Sequence, residues 1–410
     1  MKTKITFLLL FFYSQIFSQS ISIENIRKHI SVLSNDSLEG RGTGSKGEEK
    51  AANYILQEFK KIGLKPMSDN NSYLKYFQFK QSSNPHGASE KDTTVKILNS
   101  KNVVGFLNNN SANTIIVGAH YDHLGFGEDQ NSLDANPKGK IHNGADDNAS
   151  GVAGVIEMAR YFSTIKSNYN YLFLCFSGEE LGLIGSKKFV DHADFNPAKI
   201  NAMINMDMIG RLNDSTKKLM VYGVGTSPAF VNIVESSNSY FKLVLDSSGV
   251  GPSDHTSFYL KDIPVLHFFT GQHSDYHKPS DDIEKINFAG EQKVLEYIIE
   301  IIKKIDTQTK LEFRKTRDSN NENAPKFKVT LGIMPDYSFE GKGVKVDGVS
   351  DNKPAFNAGV KKGDVIIKLG NLDVTDMRTY MQGLADSKKG DTKELIVKRN
   401  GKNEILKVTF

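Results

Sequence analysis

The chain has 410 residues, of which 38% are hydrophobic and 24% charged. That balance supports folded cores, excludes disordered, collagenous and coiled-coil architectures, and at roughly 150 residues per domain suits two to three domains. The formal net charge is +4, from 52 basic against 48 acidic side chains that are interspersed rather than gathered in a stripe, which speaks against a nucleic-acid partner.

In chain order, Lys2 and Lys4 precede an apolar run from Ile5 to Phe17 and then Ser18-Gln19-Ser20. Basic, apolar and small-residue regions in that order predict a signal peptide over residues 1–19. The run is shorter than the roughly 20 residues that span a bilayer, and a lipid-attachment cysteine is missing, so no stable membrane anchor is expected. Removing Lys2 and Lys4 takes the net charge from +4 to about +2. A single cysteine, Cys175, permits neither an internal disulfide nor a multi-cysteine metal site. A secreted or periplasmic bacterial protein fits these features.

Residues 20–305 alternate helical and strand patterns. Gly47–Ile62 shows helical spacing and stops at Gly63, Thr114–Val117 is a β-branched run, and Gly151–Phe162 is a helix. Tyr171–Phe176 is a second apolar strand, followed by a helix over Leu181–Phe189. Ile200–Met206 and Ile263–Phe269 are further strands, and Lys293–Ile305 is an amphipathic helix. The alternation predicts an α/β fold, with a mostly parallel sheet covered by helices on both faces. Residues 306–325 turn polar and read as a linker, and residues 326–410 have the size and Gly-punctuated short strands of a small, mainly-β domain.

Ligands of open parallel sheets bind beyond the carboxyl ends of the strands. There the sequence sets Gly118-Ala119-His120-Tyr121-Asp122-His123, Gly144-Ala145-Asp146-Asp147-Asn148, Ser177-Gly178-Glu179-Glu180, Asp207 and Tyr276-His277. Hard oxygen and imidazole ligands without thiolates suit zinc first, with manganese or cobalt as the alternatives. Five of them exceed the needs of one tetrahedral catalytic ion and suit a pair sharing a bridging carboxylate. The Glu179-Glu180 doublet can then supply one ligand and one uncoordinated base.

GAHYDHLG, GADDNASG, FSGEELGLIGS, NMDMIG and DYHKPSDD together resemble the co-catalytic dizinc aminopeptidases of peptidase clan MH, over roughly residues 25–303. The resemblance implies two zinc ions per chain. His120, Asp147 and Asp207 would hold one, and Asp147 (as the bridge), Glu180 and His277 the other. It makes Glu179 the general acid/base, puts a cis peptide at Asp147–Asn148, and matches Tyr276 to a residue that hydrogen-bonds the oxyanion. Asp122 is placed to orient His120 from behind. Asp254 and His255 match a loop near the family's active site, where a part in the site and turn or packing work stand as equal alternatives, and His123 and His273 read as packing residues beside the motifs.

The segment 326–410 resembles a PDZ domain of the bacterial protease-associated kind, through Leu331-Gly332-Ile333-Met334, Gly343–Val346 and Gly359-Val360-Lys361-Lys362-Gly363-Asp364-Val365-Ile366-Ile367. Such domains add an extended peptide, often a protein C-terminus, to a sheet edge, and Gly332 and Ile333 would then lie in the carboxylate loop. Other motifs are set aside. Gly42–Gly47 spells G-x-G-x-x-G but no strand precedes it. Ser253-Asp254-His255 is adjacent in sequence, whereas a catalytic triad is a spatial arrangement, and no G-x-S-x-G elbow occurs. The expectation is a secreted zinc exopeptidase acting on peptides, most simply an aminopeptidase. A single-zinc glutaminyl cyclase on the same fold, or an inert peptide-binding scaffold, are the alternatives.

Overall fold

The computed structural model describes residues 20–67, 72–82, 95–127, 132–134, 136–316, 329–335, 339, 341–349, 353–375 and 377–410. The expected signal peptide lies outside them. Among the described residues no helix is long and apolar enough to cross a membrane.

The larger sheet has eight strands: β1 (Leu74–Ser82), β2 (Val95–Leu107), β3 (Thr114–His120), β4 (Asn170–Phe176), β5 (Ile200–Met206), β6 (Lys218–Tyr222), β7 (Lys242–Asp246) and β8 (Val265–Phe269), in the order β1-β2-β4-β3-β5-β8-β6-β7. The central strands β4, β3, β5 and β8 run parallel, β1 and β2 pair antiparallel with their neighbours, and β6 pairs antiparallel with β8 but parallel with β7. The mostly parallel sheet is thus mixed at its flanks, and those flanking strands are not evident in the sequence pattern.

Among the described residues seven helices cover the sheet: α1 (Ile23–Leu33), α2 (Lys46–Ile62), α3 (Gly151–Phe162), α4 (Ile184–Val190), α5 (Phe230–Ser237), α6 (His255–Tyr259) and α7 (Phe288–Asp306). Every residue of β3, β4 and β5 is buried, and alternate side chains serve opposite faces. Ile115, Val117 and Ala119 pack with α1, α2, α3 and α7, whereas Ile116, Leu172 and Leu174 pack with Phe189 of α4 and Phe258 of α6. Burying each of the Val, Ile, Leu and Phe side chains among these contributes about 1.5–3 kcal/mol of transfer free energy, so the sheet is anchored on both faces beneath its rim.

Local chemistry sets the helix ends. Ser45 caps α2 by accepting from the Glu48 amide, Glu48 reaches back to accept from the Gly44 amide, and Gly63 closes the helix at φ +90°. The helix read at Leu181–Phe189 begins only at Ile184, because Gly182 and Leu183 take positive φ and carry the chain away from Glu180 first. The segment before Gly42 is a 3-10 turn with left-handed breaks, not a strand, so the glycine motif lacks the setting of a dinucleotide site.

The polar stretch read as linker is anchored at its start. Asp306 closes α7, the Leu311 amide donates to Asn201 at 2.7 Å, the Arg314 amide to the Thr226 carbonyl at 2.8 Å, and the Thr316 amide to the Tyr259 hydroxyl at 2.9 Å. Backbone donors make these contacts, and hydrophobic periodicity does not register them.

The C-terminal sheet is antiparallel, built from β9 (Ile333–Pro335), β10 (Val344–Val349), β11 (Val365–Leu369), β12 (Leu372–Asp373), β13 (Thr392–Arg399) and β14 (Lys402–Thr409), with short helices α8 (Pro354–Asn357) and α9 (Met377–Ala385). Leu331, Val346, Ile366, Leu395, Val397 and Val408 form its own core. Arg399 grips Asp364 through two bonds of 2.7 Å and ties β13 to the turn before β11.

Candidate metal centre and active site

Each expected site residue leaves the sheet at the same edge. His120 is the last residue of β3, Glu179 and Glu180 follow β4 across Gly178 (φ +71°), Asp207 follows β5, and His277 lies in the loop after β8. Asp147 arrives on the turn preceding α3. A parallel arrangement of neighbouring strands brings their carboxyl ends together, so residues up to 157 positions apart in sequence (277 minus 120) share one cleft.

The geometry falls into two groups. Nε2 of His120 lies 3.4 Å from Oδ1 of Asp147 and 3.3 Å from Oδ1 of Asp207. Nε2 of His277 lies 3.2 Å from Oδ2 of Asp147 and 3.2 Å from Oε2 of Glu180. The two oxygens of Asp147 therefore face different groups. Ligands about 2.0–2.1 Å from a tetrahedral zinc stand about 3.3 Å from one another, so these spacings fit one ion in each group. His120–Asp147–Asp207 and His123–Asp147–Glu180 are both close enough to hold a cation.

The Asp147 turn is held from several sides. Oδ2 of Asp281 accepts from the amides of Asp146 and Asp147, both at 3.0 Å, and Oδ1 of Asp146 accepts from the Gly210 amide at 2.7 Å. The Asp147–Asn148 peptide is cis, and the Asn148 carboxamide donates to the Met206 carbonyl at 3.0 Å. Arg41, fully buried, donates to the carbonyls of Leu33, Tyr121, Asn143 and Gly144, clamping the end of β3 to the loop that carries Asp147. Nothing in its polar sequence context marks Arg41 in advance, because its acceptors are carbonyls that any sequence supplies.

Glu179 stands in the wall of the cleft. Burial pushes its carboxyl well above the usual range, His120 opposes that, and the charges of Glu180 and Asp207 add to it. For Glu180, burial also pushes upward, but His277 and the hydrogen bond from His123 hold it down to about 2. Two adjacent carboxyls are thereby driven apart, which separates a proton-accepting group from an anionic ligand. Oδ1 of Asp122 accepts from the Glu179 amide at 3.2 Å, and its Oδ2 from the Thr43 hydroxyl at 2.8 Å. The Nδ1 of His120 is nearer the Asp122 main-chain carbonyl, at 3.1 Å, than the carboxylate, at 3.7 Å. Tyr276 stacks on His277 with ring centroids 3.9 Å apart.

The cleft encloses about 540 Å³, including solvent at its mouth, and both metal groups, Glu179 and Tyr276 line it. Its remaining wall mixes Met208, Tyr222, Pro252 and Phe269 with His267 and Gln272. Two readings change. His123 is not simple packing: its Nδ1 lies 2.7 Å from Oε1 of Glu180. His273 pairs with Asp146 at 3.2 Å rather than packing on apolar neighbours. The turn after β3 sets the contact of His123 and the loop after β8 that of His273, and strand periodicity ends before both. Ser253, Asp254 and His255 make no triad, since His255 stacks on His267 at 4.4 Å and neither of its ring nitrogens has a hydrogen-bond partner among the described residues.

Comparison with known proteins agrees with this architecture. Residues 102–302 match peptidase family M28, and residues 311–410 match the PDZ domain. Aminopeptidase YwaD of Bacillus subtilis is 28% identical over 281 residues, covering 63% of this chain and 58% of that protein. The chain thus spans less than two thirds of that relative's length. Among solved structures, a zinc aminopeptidase from Bacillus subtilis superposes with a TM-score of 0.56 at 19% identity, covering 73% of this chain and 98% of that one. Glutaminyl cyclase from Porphyromonas gingivalis does so with 0.54 at 16%, covering 69% and 98%. At such identities these likenesses show the shared fold. The family match spans the strands and loops that carry every metal-group residue, so the segment 102–302 belongs to peptidase family M28, and a PDZ domain follows it over residues 311–410.

Proposed function

We propose that the protein is a secreted aminopeptidase that holds two zinc ions and removes N-terminal residues from peptides. The observation that carries this reading is Asp147, whose two oxygens face separate histidine–carboxylate groups at 3.2–3.4 Å. His120, Asp147 and Asp207 would hold one ion, and Asp147, Glu180 and His277 the other. Bound there, the ions would supply Lewis-acid polarisation of the scissile carbonyl and a water acidic enough to ionise near neutral pH. Glu179 accepts a proton from the attacking water, whose oxygen bonds to the carbonyl carbon. Tyr276 donates a hydrogen bond to the developing oxyanion. As the C–N bond breaks, Glu179 returns the proton to the departing amine, leaving a free amino acid and a peptide shortened by one residue. Asp122 orients Glu179 through its amide, and the carboxylates of the cleft suit a substrate's terminal ammonium group. The PDZ domain would capture an extended peptide or a protein C-terminus at its sheet edge, and residues 1–19 would direct export.

The shared fold with a glutaminyl cyclase keeps one second reading, in which a single zinc serves intramolecular cyclisation. Zinc analysis together with a panel of free and N-blocked peptides separates them. Two ions per chain and cleavage confined to free N-termini are expected. Glu179→Gln should lower kcat by roughly 10²–10⁴-fold while retaining zinc. Cleavage of blocked peptides as efficient as that of free ones would remove the aminopeptidase assignment, and one ion with cyclisation of N-terminal glutamine would favour the second reading.

A further inference from the structure

We propose that His123 is a positioning residue for Glu180: its imidazole donates from Nδ1 to Oε1, leaving Oε2 as the oxygen that Glu180 offers to a cation. The inference rests on the two-zinc reading and deepens it.

The contact is short, 2.7 Å, and both side chains are almost shut off from solvent, at 0% and 6% exposure. The second oxygen of Glu180 is aimed elsewhere, 3.2 Å from Nε2 of His277. Direct ligation by His123 suits the geometry less well. Its 2.7 Å spacing from Oε1 is shorter than the edge of a zinc tetrahedron, about 3.3 Å, and its 3.9 Å spacing from Oδ2 of Asp147 is longer. The far ring nitrogen argues the same way. Nε2 is buried with no hydrogen-bond partner among the described residues. A ring ligating through Nδ1 would carry its proton on Nε2 and bury a donor unpaired, whereas a ring donating from Nδ1 leaves only a lone pair there.

The ring is also fixed independently of any ion. The His123 amide donates to the Arg41 carbonyl at 3.1 Å, and Gly144, at φ +54°, comes so close to the imidazole that an added Cβ would stand 2.5 Å from Cδ2. His277 meets it edge-on with centroids 5.9 Å apart. The chemical consequence is a carboxylate held to one-oxygen binding. A Glu180 free to chelate with both oxygens would occupy a position that a hydrolytic site must leave for water.

Full-length wild type, His123→Ala and His123→Asn are loaded with zinc or cobalt. Zinc affinity is read by competition with a chromophoric chelator, and coordination by the visible absorption of the cobalt form. The expected result for H123A is a ten- to a hundredfold loss of affinity, roughly, at one of two sites, with weaker cobalt absorption as coordination number rises. H123N keeps an N–H donor near the place of Nδ1 and should restore both to within roughly threefold. Wild-type affinity and spectrum in H123A would overturn the proposal. So would H123N failing as badly as H123A, which would make His123 a ligand in its own right. If H123A does not fold, H123N against wild type decides by the same limits. Wild type holding fewer than two ions would overturn the two-zinc reading itself, a result distinct from either of the others.

Discussion

Glu48 offers a stability prediction that can be worked through in full. Its carboxyl is completely buried behind the catalytic edge, where the hydroxyls of Ser100 (2.5 Å) and Ser177 and the Gly44 amide (2.9 Å) donate to it. Burial outweighs those bonds and raises its pKa from 4.5 to about 7. A carboxyl whose folded pKa is raised favours the folded state fully below the unfolded value and loses that advantage as pH climbs through the folded one. The window is therefore about pH 4.5 to 7, and a shift of about 2.5 units (7 minus 4.5) at about 1.4 kcal/mol each amounts to about 3 kcal/mol. Glu48→Gln resembles the protonated acid and does not titrate. Urea unfolding of wild type and E48Q, both with chelator present, should show the variant gaining about 3 kcal/mol on wild type between pH 4.5 and pH 8. Parallel pH profiles for the two proteins would show that Glu48 is already ionised in the folded state, and the burial argument would be wrong.

Tyr276→Phe removes the proposed oxyanion donor but keeps the ring that stacks on His277, so kcat should fall roughly 10²-fold with KM little changed. An unchanged kcat would leave stacking as its work. In Gly151→Ala the new Cβ would meet Oδ1 of Asn148 at 2.3 Å and the Met206 carbonyl at 2.6 Å, beside the Asp147 turn. Zinc content should drop and kcat/KM fall on the order of 10²-fold, with far-ultraviolet circular dichroism unchanged; wild-type zinc content would count against the strain argument.

Much of this protein is written locally. The runs that become β3, β4 and β5 are largely apolar, and buried at every position, because the strands are covered on both faces, and the capped, Gly-terminated pattern of α2 reads directly as a helix. Parallel strands in one sheet imply a common carboxyl edge, so the meeting of His120, Asp147, Glu180, Asp207 and His277 follows from motifs at those strand ends. Other features need the folded chain. β7 is an edge strand with no fully buried residue, so periodicity carries little trace of it. Arg41 works through main-chain carbonyls contributed by Leu33, Tyr121, Asn143 and Gly144, and carbonyls carry no residue signature. Whether His123 turns toward Glu180 depends on the backbone after β3, and which oxygen of Asp147 faces which histidine depends on the direction of one turn. Residue types and their order reach as far as the ends of the strands. Beyond them, the direction of each side chain is set by loop backbone and by neighbours distant in sequence, and that is a property of the tertiary structure alone.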